Sequence, residues 1–212
     1  TSGRTSNEAA FLYQLLVRSF GTNNLPDCSN MCHESSGTAL TESIGIGKGS
    51  VTVEDVEHAD VIVIAGQNPG TNHPRMLSVL EKAKANGAKI IAVNPLPEAG
   101  LIRFKDPQKI RGVIGHGVPI ADEFVQIRLG GDLALFKGLG RLLVEADDRR
   151  PGAVIDREFI AAHCHGVDDY LADTRAVDIG TVVEATGIER PQLERVAGML
   201  AGSQRTIVCW AM

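Results

Sequence analysis

Two cysteines and a histidine lie close together in a segment rich in glycine, serine, threonine and asparagine: Cys28, Cys32 and His33. A thiolate binds soft metal ions, and a neighbouring imidazole can accept or donate a proton. The chain offers no second pair of ligands at the spacing of a zinc site. The cluster therefore indicates either a metal ligand beside a proton acceptor or a pair of thiols without chemistry, and spacing alone leaves both open.

Three polar turns, each placed after a short apolar run, form a second set of candidates: residues 66–74, Asn94-Pro95 and residues 130–132. In open parallel sheets, ligands bind outside the carboxyl ends of the strands, and glycine lets a nucleotide approach the backbone closely. The first turn lacks the G-x-G-x-x-G fingerprint, so a plain tight turn is an alternative. Likewise, Asn94 suits a turn that satisfies its own backbone, and Asp132 suits a helix N-cap.

Hydrophobic periodicity predicts the elements that position these turns. Continuous β-branched runs predict buried strands, and apolar residues at helical spacing predict the helices between them. We therefore expect an α/β protein with a doubly wound, mostly parallel open sheet, Rossmann-like, with helices on both faces. Strands are predicted over 60–66, 89–93, 123–128 and 206–210. Helices are predicted from a Thr5 cap to Gly21 and near 76–86, 132–150, 156–162, 166–173, 178–186 and 193–200, with loops over 21–52 and 95–121.

The composition is that of an ordinary globular protein, with 212 residues, a net charge of −5 and 43% hydrophobic residues. The acidic balance argues against nucleic-acid binding, which usually requires a basic surface. No apolar run approaches the length of a membrane helix and no signal peptide is recognisable, so we expect a cytoplasmic protein without a membrane segment. Cys164 and Cys209 are expected to be buried, inert thiols. Because the chain starts without Met and stops directly after an apolar run, we expect a fragment.

Several separated motifs, taken in order, resemble one family. They are Gly21-Thr22-Asn23-Asn24, Cys32-His33, Gly66-x-Asn68-Pro69-x-x-x-His73-Pro74, Asn86-Gly87-Ala88-Lys89-Ile90-Ile91 and Asn94-Pro95. Together they resemble the molybdopterin oxidoreductases of the formate dehydrogenase catalytic-subunit (alpha) type. Residues 2–8 and the insert around 100–121 look most like the branch of formate dehydrogenase alpha subunits linked with acid resistance.

The resemblance implies a site and a cofactor. Cys32 matches the ligand of a molybdenum or tungsten ion carried by molybdopterin guanine dinucleotide, and His33 matches the proton acceptor. The full enzyme would take two electrons and a proton from a small, formate-like substrate and pass the electrons to a partner. An iron-sulfur cluster would belong to the full-length protein, outside this chain. The positions implied to contact one guanine dinucleotide are Gly66, Asn68, Pro69, Thr71, Asn72, His73, Asn94, Pro95, Gly130, Gly131 and Asp132.

Two positions depart from the family pattern: Leu96 stands where Arg is common, and Asn94 stands where Asp is common. Two other functions stay open, a nicotinamide-dependent dehydrogenase domain and a non-catalytic dinucleotide-binding or assembly module. We expect residues 1–25 to form a helix of a neighbouring domain and residues 26–212 to form the Rossmann-like domain that binds the guanine dinucleotide. The isolated fragment is expected to be inactive.

Overall fold

The computed structural model describes residues 5–25 and 32–210. Contacts along the backbone divide the chain into two compact units, one up to Val51 and one over Thr52–Trp210. The boundary expected between residues 25 and 26 concerns domains of a longer protein and remains a prediction. Within the described ranges, no helix combines the length and apolar character needed to cross a membrane.

The first unit contains helices α1 (Asn7–Ser19) and α2 (Glu34–Ile44). Helix α1 is capped by Ser6, whose Oγ accepts the N–H of Ala9 at 3.3 Å, one residue after the predicted cap Thr5. Helix α2 corrects the loop expected over 21–52.

Helix α2 escaped prediction because its sequence is rich in serine, threonine and glycine, which favour loops when read alone. In the structure, the Thr41 hydroxyl donates back to the Gly37 carbonyl at 2.7 Å inside the helix. Gly45 ends the helix with a left-handed φ of 76°. The segment that follows Cys32 and His33 is therefore a regular element.

The second unit contains a four-stranded sheet in which every strand pair is parallel. The strands are β1 (Val61–Ala65), β2 (Lys89–Val93), β3 (Glu123–Val125) and β4 (Thr206–Trp210), in the spatial order β3-β2-β1-β4. This confirms the predicted α/β class and parallel sheet. Strand β3 is shorter than the predicted 123–128, because the N–H of Arg128 pairs with the Thr186 carbonyl instead of a neighbouring strand.

Helices connect the strands in this unit. They are α3 (Val53–Glu57), α4 (Pro69–Asn72), α5 (Pro74–Ala85), α6 (Ala99–Ile102), α7 (Ile110–Ile114), α8 (Asp132–Arg149), α9 (Arg157–His163), α10 (Val167–Arg175), α11 (Ile179–Thr186) and α12 (Arg190–Ala201). Helix α5 starts with Pro74, whose fixed φ suits a first helical position. Two short helices, α6 and α7, lie in the segment expected to be irregular.

The central strands β1 and β2 are buried on both faces of the sheet, which is why their sequences are almost continuously apolar. Alternate side chains enter two hydrophobic cores, one on each face. The first core joins Val61, Val63, Ile91 and Val93 to Leu135, Leu139, Leu193 and Val196 of helices α8 and α12. The second joins Ile62, Ile64 and Ile90 to Leu77, Leu80 and Ala83 of helix α5. Helices on both faces were predicted, and the two cores confirm them.

A buried carboxylate organises the loop that leaves helix α8. Asp147 has no exposed surface, and its Oδ1 accepts the N–H groups of Gly152, Val154 and Ile155 at 3.0–3.1 Å. Arg157 donates to Oδ2 at 2.6 Å. The pKa of Asp147 lies below its usual value, chiefly because the Ile155 N–H donates to the carboxylate. The other N–H groups and the Arg157 charge lower it further.

We predict that Asp147→Asn lowers the unfolding temperature at neutral pH, because the substitution removes the charge that faces Arg157. The unfolded carboxyl has a pKa of about 3.9, and the folded pKa is lower. The ionised carboxylate therefore stabilises the fold at a pH above the unfolded pKa. This contribution is lost as the pH falls through the folded pKa. The difference between wild type and variant should begin to narrow below a pH of about 4 and close only below the folded pKa.

Thermal unfolding across pH measures this effect. Asp148→Asn is the matched control, because Asp148 is the neighbouring carboxylate and forms an exposed ion pair with Arg175. It should cost less at neutral pH. A difference that does not change with pH, or equal losses at both positions, would contradict the role given to Asp147.

Candidate functional site

The turns singled out in the sequence follow β1, β2 and β3, which are adjacent parallel strands. Their carboxyl ends consequently lie at one edge of the sheet. After β3 the chain returns to place β4 on the other side of β1, so the strand order reverses at β1. In open α/β sheets, ligands bind at the carboxyl edge where the order reverses.

The turn after β1 begins at Gly66, which has a left-handed φ of 71° that other residues rarely adopt. Its N–H donates to the carbonyl of Val93, the last residue of β2, at 2.8 Å. Pro69 is buried and opens the short helix α4, which includes Thr71 and Asn72, both exposed. His73 is exposed and lies between α4 and α5. Glycine at 66 thus lets the chain turn sharply while it stays bonded to the next strand.

Both ends of the Asn68 side-chain amide form hydrogen bonds within the protein. Its Oδ1 accepts the Thr71 N–H at 3.1 Å as the cap of helix α4, and its Nδ2 donates to a carboxylate oxygen of Glu98. The amide therefore joins the turn after β1 to the segment that follows β2. Asn68 therefore supports the carboxyl edge of the sheet through its hydrogen bonds to Thr71 and Glu98. The sequence alone did not reveal Glu98 as a partner.

Two glycines allow these two segments to approach each other. A Cβ on Gly70 would lie 3.2 Å from the Cα of Gly100, and a Cβ on Gly100 would lie 3.0 Å from the Cα of Gly70. Such distances are shorter than ordinary side-chain contacts, so a Cβ at either position would push helices α4 and α6 slightly apart. Glycine at position 70 therefore allows helices α4 and α6 to pack closely.

Asn94 is 7% exposed and turns the chain at the end of β2. Its Nδ2 faces the backbone carbonyl of Gln67 at 3.5 Å, and its Oδ1 faces the N–H of Leu96 at 3.4 Å. The Asn94 side chain consequently holds two backbone segments together, as the turn alternative predicts. The carbonyl of Pro95 accepts the Gln126 side chain at 3.0 Å, which extends the connection to the segment after β3.

Gln67 connects the turn after β1 to β4, and the sequence contained no signal for it. Its Nε2 donates to the carbonyl of Trp210, the last described residue of β4, at 3.4 Å. Its Oε1 is buried and has no hydrogen-bond partner within the described residues. An acceptor of this kind is costly unless a donor reaches it.

The third turn leads into helix α8. Gly130 has a left-handed φ of 80°, and no atom lies within 4 Å of the place its Cβ would occupy. The N-cap is Gly131, while Asp132 is the first helical residue and is exposed, so the N-cap alternative for Asp132 is wrong and its role in binding a cofactor remains a prediction. No side chain caps this helix start. Arg128 anchors the turn by donating from Nη1 to the carbonyl of Glu184 at 2.7 Å.

The candidate metal ligand belongs to the first unit. Cys32 is a free, half-buried thiol, and His33 is exposed and forms the N-cap of helix α2 without a side-chain capping bond. Cys28, the other thiol of the sequence cluster, lies outside the described residues. Over residues 5–25 and 32–210, no group of three or more histidine, cysteine or acidic side chains is arranged to bind a metal. A metal held here would take one protein thiolate and its other ligands from elsewhere.

The two remaining cysteines differ from each other. Cys209 is half-buried in β4, and burial raises the pKa of its thiol, in keeping with an inert role. Cys164 is exposed at the end of helix α9, so the expectation of a buried thiol there is wrong. It is the C-cap of a surface helix in which no residue is buried.

A family described as molybdopterin oxidoreductase matches residues 1–145. An uncharacterized oxidoreductase of Mycobacterium tuberculosis is 79% identical over 212 residues, covering 100% of this chain and 27% of the relative. Protein YdeP of Escherichia coli is 46% identical over 217 residues, covering 100% of this chain and 29% of YdeP. Formate dehydrogenase H of Escherichia coli is 27% identical over 213 residues, covering 100% of this chain and 27% of that enzyme.

A solved structure supports the fold. Acetylene hydratase from Pelobacter acetylenicus aligns with a TM-score of 0.67 and 19% identity, covering 94% of this chain and 24% of that one. The chain therefore spans little more than a quarter of the length of these curated relatives. The family match covers more than half of the chain and includes Cys32 and the turns after β1, β2 and β3. The chain belongs to the molybdopterin oxidoreductase family.

Proposed function

We propose that this chain is part of a longer, formate dehydrogenase-like molybdopterin oxidoreductase. In this proposal the carboxyl edge of the sheet binds one molybdopterin guanine dinucleotide, Cys32 binds molybdenum or tungsten, and His33 accepts a proton. The observation that carries it is the common edge at which the turns of Gly66, Asn94 and Gly130 follow three adjacent parallel strands. The similarity to formate dehydrogenase H supports formate as the first substrate to test.

The residues at this edge suit a nucleotide. Gly66 and Gly130 keep the backbone free of side chains, and the uncapped start of helix α8 offers N–H groups to an anion. The buried Oε1 of Gln67 is an acceptor without a donor within the described residues. The edge therefore offers donors for a diphosphate and an acceptor for a nucleoside.

The first unit supplies the proposed chemical groups. Cys32 is a free thiol two residues before the first residue of helix α2. When bound, molybdenum or tungsten carried by molybdopterin supplies an acceptor for two electrons. His33, whose imidazole forms no hydrogen bond to any described residue, takes the substrate proton at a ring nitrogen. The proton and the electron pair thus leave the substrate by separate routes.

The rest of the proposal concerns the longer protein. Electrons leave through a partner, with an iron-sulfur cluster as a carrier outside this chain. We propose a cytoplasmic location, because a reducing compartment keeps Cys32 out of disulfide bonds. Bound molybdenum, together with no affinity for NAD, would exclude the nicotinamide alternative. Turnover that depends on Cys32 would exclude a non-catalytic binding or assembly module.

We predict that Cys32→Ser in the full-length protein lowers the metal content severalfold and reduces formate oxidation by at least a hundredfold. A hydroxyl is a harder and weaker ligand for this metal than a thiolate. Elemental analysis gives the metal content, and an artificial electron acceptor reports turnover. Circular dichroism should match the wild type, because the substitution is nearly isosteric.

Cys164→Ser is the matched control, since it changes an exposed thiol of the second unit. It should leave both metal content and turnover unchanged. Full metal content and full turnover in Cys32→Ser would remove Cys32 from the mechanism. Equal losses in both variants would point to general damage by thiol replacement.

The hydrogen bond between Asn68 and Glu98 generates a second prediction. Asn68→Asp keeps the oxygen that caps helix α4 but sets a carboxylate against that of Glu98. Removing a hydrogen bond to a charged group costs roughly 1.5–3 kcal/mol, and we expect a loss of that size in the free energy of unfolding.

Urea denaturation of Asn68→Asp, Glu98→Gln and the double variant forms a thermodynamic cycle. In the double variant, the amide introduced at position 98 can donate to the carboxylate introduced at position 68. Its stability should therefore recover most of the loss seen in Asn68→Asp. Strictly additive losses would show that the two side chains are not coupled.

A further inference from the structure

The side-chain amide of Gln67 lies where the sheet reverses its strand order. Ala65 and Trp210 are register partners at the carboxyl ends of β1 and β4, and Gln67 follows Ala65 by two residues. The residue is half-buried, while its Oε1 atom is wholly buried. This places an amide at the position where open α/β sheets take their ligands.

The carbonyl of Trp210 fixes the orientation of this amide. A carbonyl oxygen can only accept a hydrogen bond, so Gln67 must present its Nε2 to it. The remaining atom, Oε1, can then only accept. Asn94 donates to the backbone carbonyl of Gln67 and forms no hydrogen bond with its side chain.

An acceptor selects one part of a nucleotide. Phosphate oxygens are acceptors at neutral pH, and two acceptors facing each other repel. The ribose hydroxyls and the N–H groups of guanine are donors. The chemistry of Oε1 therefore matches the nucleoside and excludes the diphosphate.

We infer that Gln67 is a specificity-determining residue of the carboxyl edge, whose Oε1 accepts a hydrogen bond from an O–H or N–H donor of the bound guanine nucleoside. This inference rests on the proposed function, because it assumes that the edge binds a guanine nucleotide. Gln67 adds a side-chain contact to a site whose amides at Asn68 and Asn94 are already used within the protein.

The inference predicts that replacing Gln67 weakens nucleotide binding without a matching loss of stability. A buried acceptor without a donor lowers the stability of the ligand-free protein, and an apolar group of the same shape removes that cost. Gln67→Met removes this cost together with the 3.4 Å hydrogen bond to the Trp210 carbonyl, so the two effects on stability oppose each other. The unfolding temperature of the cofactor-free protein should therefore change little, while nucleotide binding weakens. A purely structural role for Gln67 would lower the unfolding temperature instead.

The test uses full-length protein freed of cofactor, with guanosine diphosphate and inorganic pyrophosphate as probes in calorimetric titrations. For Gln67→Met we expect the Kd for guanosine diphosphate to rise about tenfold, the loss of one hydrogen bond, with the Kd for pyrophosphate unchanged. Gln204→Met changes an exposed glutamine just before β4, at the other end of that strand, and should match the wild type. If the cofactor-free variant does not fold, the guanine nucleotide retained after dialysis of the loaded protein gives the same comparison.

Two further probes identify the donor. If the tenfold effect of Gln67→Met disappears with 2′-deoxyguanosine diphosphate, the donor is the 2′-hydroxyl. If it disappears with inosine diphosphate, the donor is the guanine amino group. Either result supports the inference, as does an effect that persists with both probes, which leaves N1–H or the 3′-hydroxyl.

Other results overturn it. An unchanged Kd for guanosine diphosphate in Gln67→Met would remove Gln67 from the site while leaving the proposed function intact. An equal rise for guanosine diphosphate and pyrophosphate would assign the loss to the shape of the turn. A wild-type protein that binds neither guanosine diphosphate nor a guanine-containing cofactor would overturn the proposed function together with this inference.

Discussion

All four strands of the sheet run in the same direction, and the candidate nucleotide edge depends on this constraint. Parallel pairing brings the ends of β1, β2 and β3 to one edge, so turns that are far apart in sequence become neighbours. The hydrogen bond from the Gly66 N–H to the Val93 carbonyl fixes the first turn to the end of β2. The amides of Gln67 and Asn94 continue the connection from β4 across to β2.

The two edges of the sheet differ in how completely their polar groups are satisfied. At the amino edge, Asp60 accepts the N–H groups of Gln204 and Arg205 and pairs with the Arg205 guanidinium at 2.7 Å. At the carboxyl edge, the amides of Asn68 and Asn94 hold backbone segments, while Gln67 keeps a buried acceptor without a donor among the described residues. This difference agrees with a ligand site at the carboxyl ends of the strands.

Strong local signals made much of the fold predictable. Strand β2 was predicted to the residue, because a β-branched run between Gly87 and Asn94 suits only a buried strand. Strand β3 was predicted too long, since the apolar Ile127 packs into the core without joining a ladder. Helix α2 was missed because its serines and glycine favour loops, and Gln67 was missed because its role depends on Trp210, 143 residues away. The metal and proton roles of Cys32 and His33 came from resemblance and remain proposals.

Hydrogen exchange of the full-length protein, with and without its cofactor, tests the central claim most directly. If the carboxyl edge binds the guanine dinucleotide, exchange should slow in the segments 66–73, 94–95 and 130–132 when the cofactor is bound, with little change around residues 59–60 and 203–206 at the amino edge. Unchanged exchange in all three turns, or protection confined to the amino edge, would contradict the account.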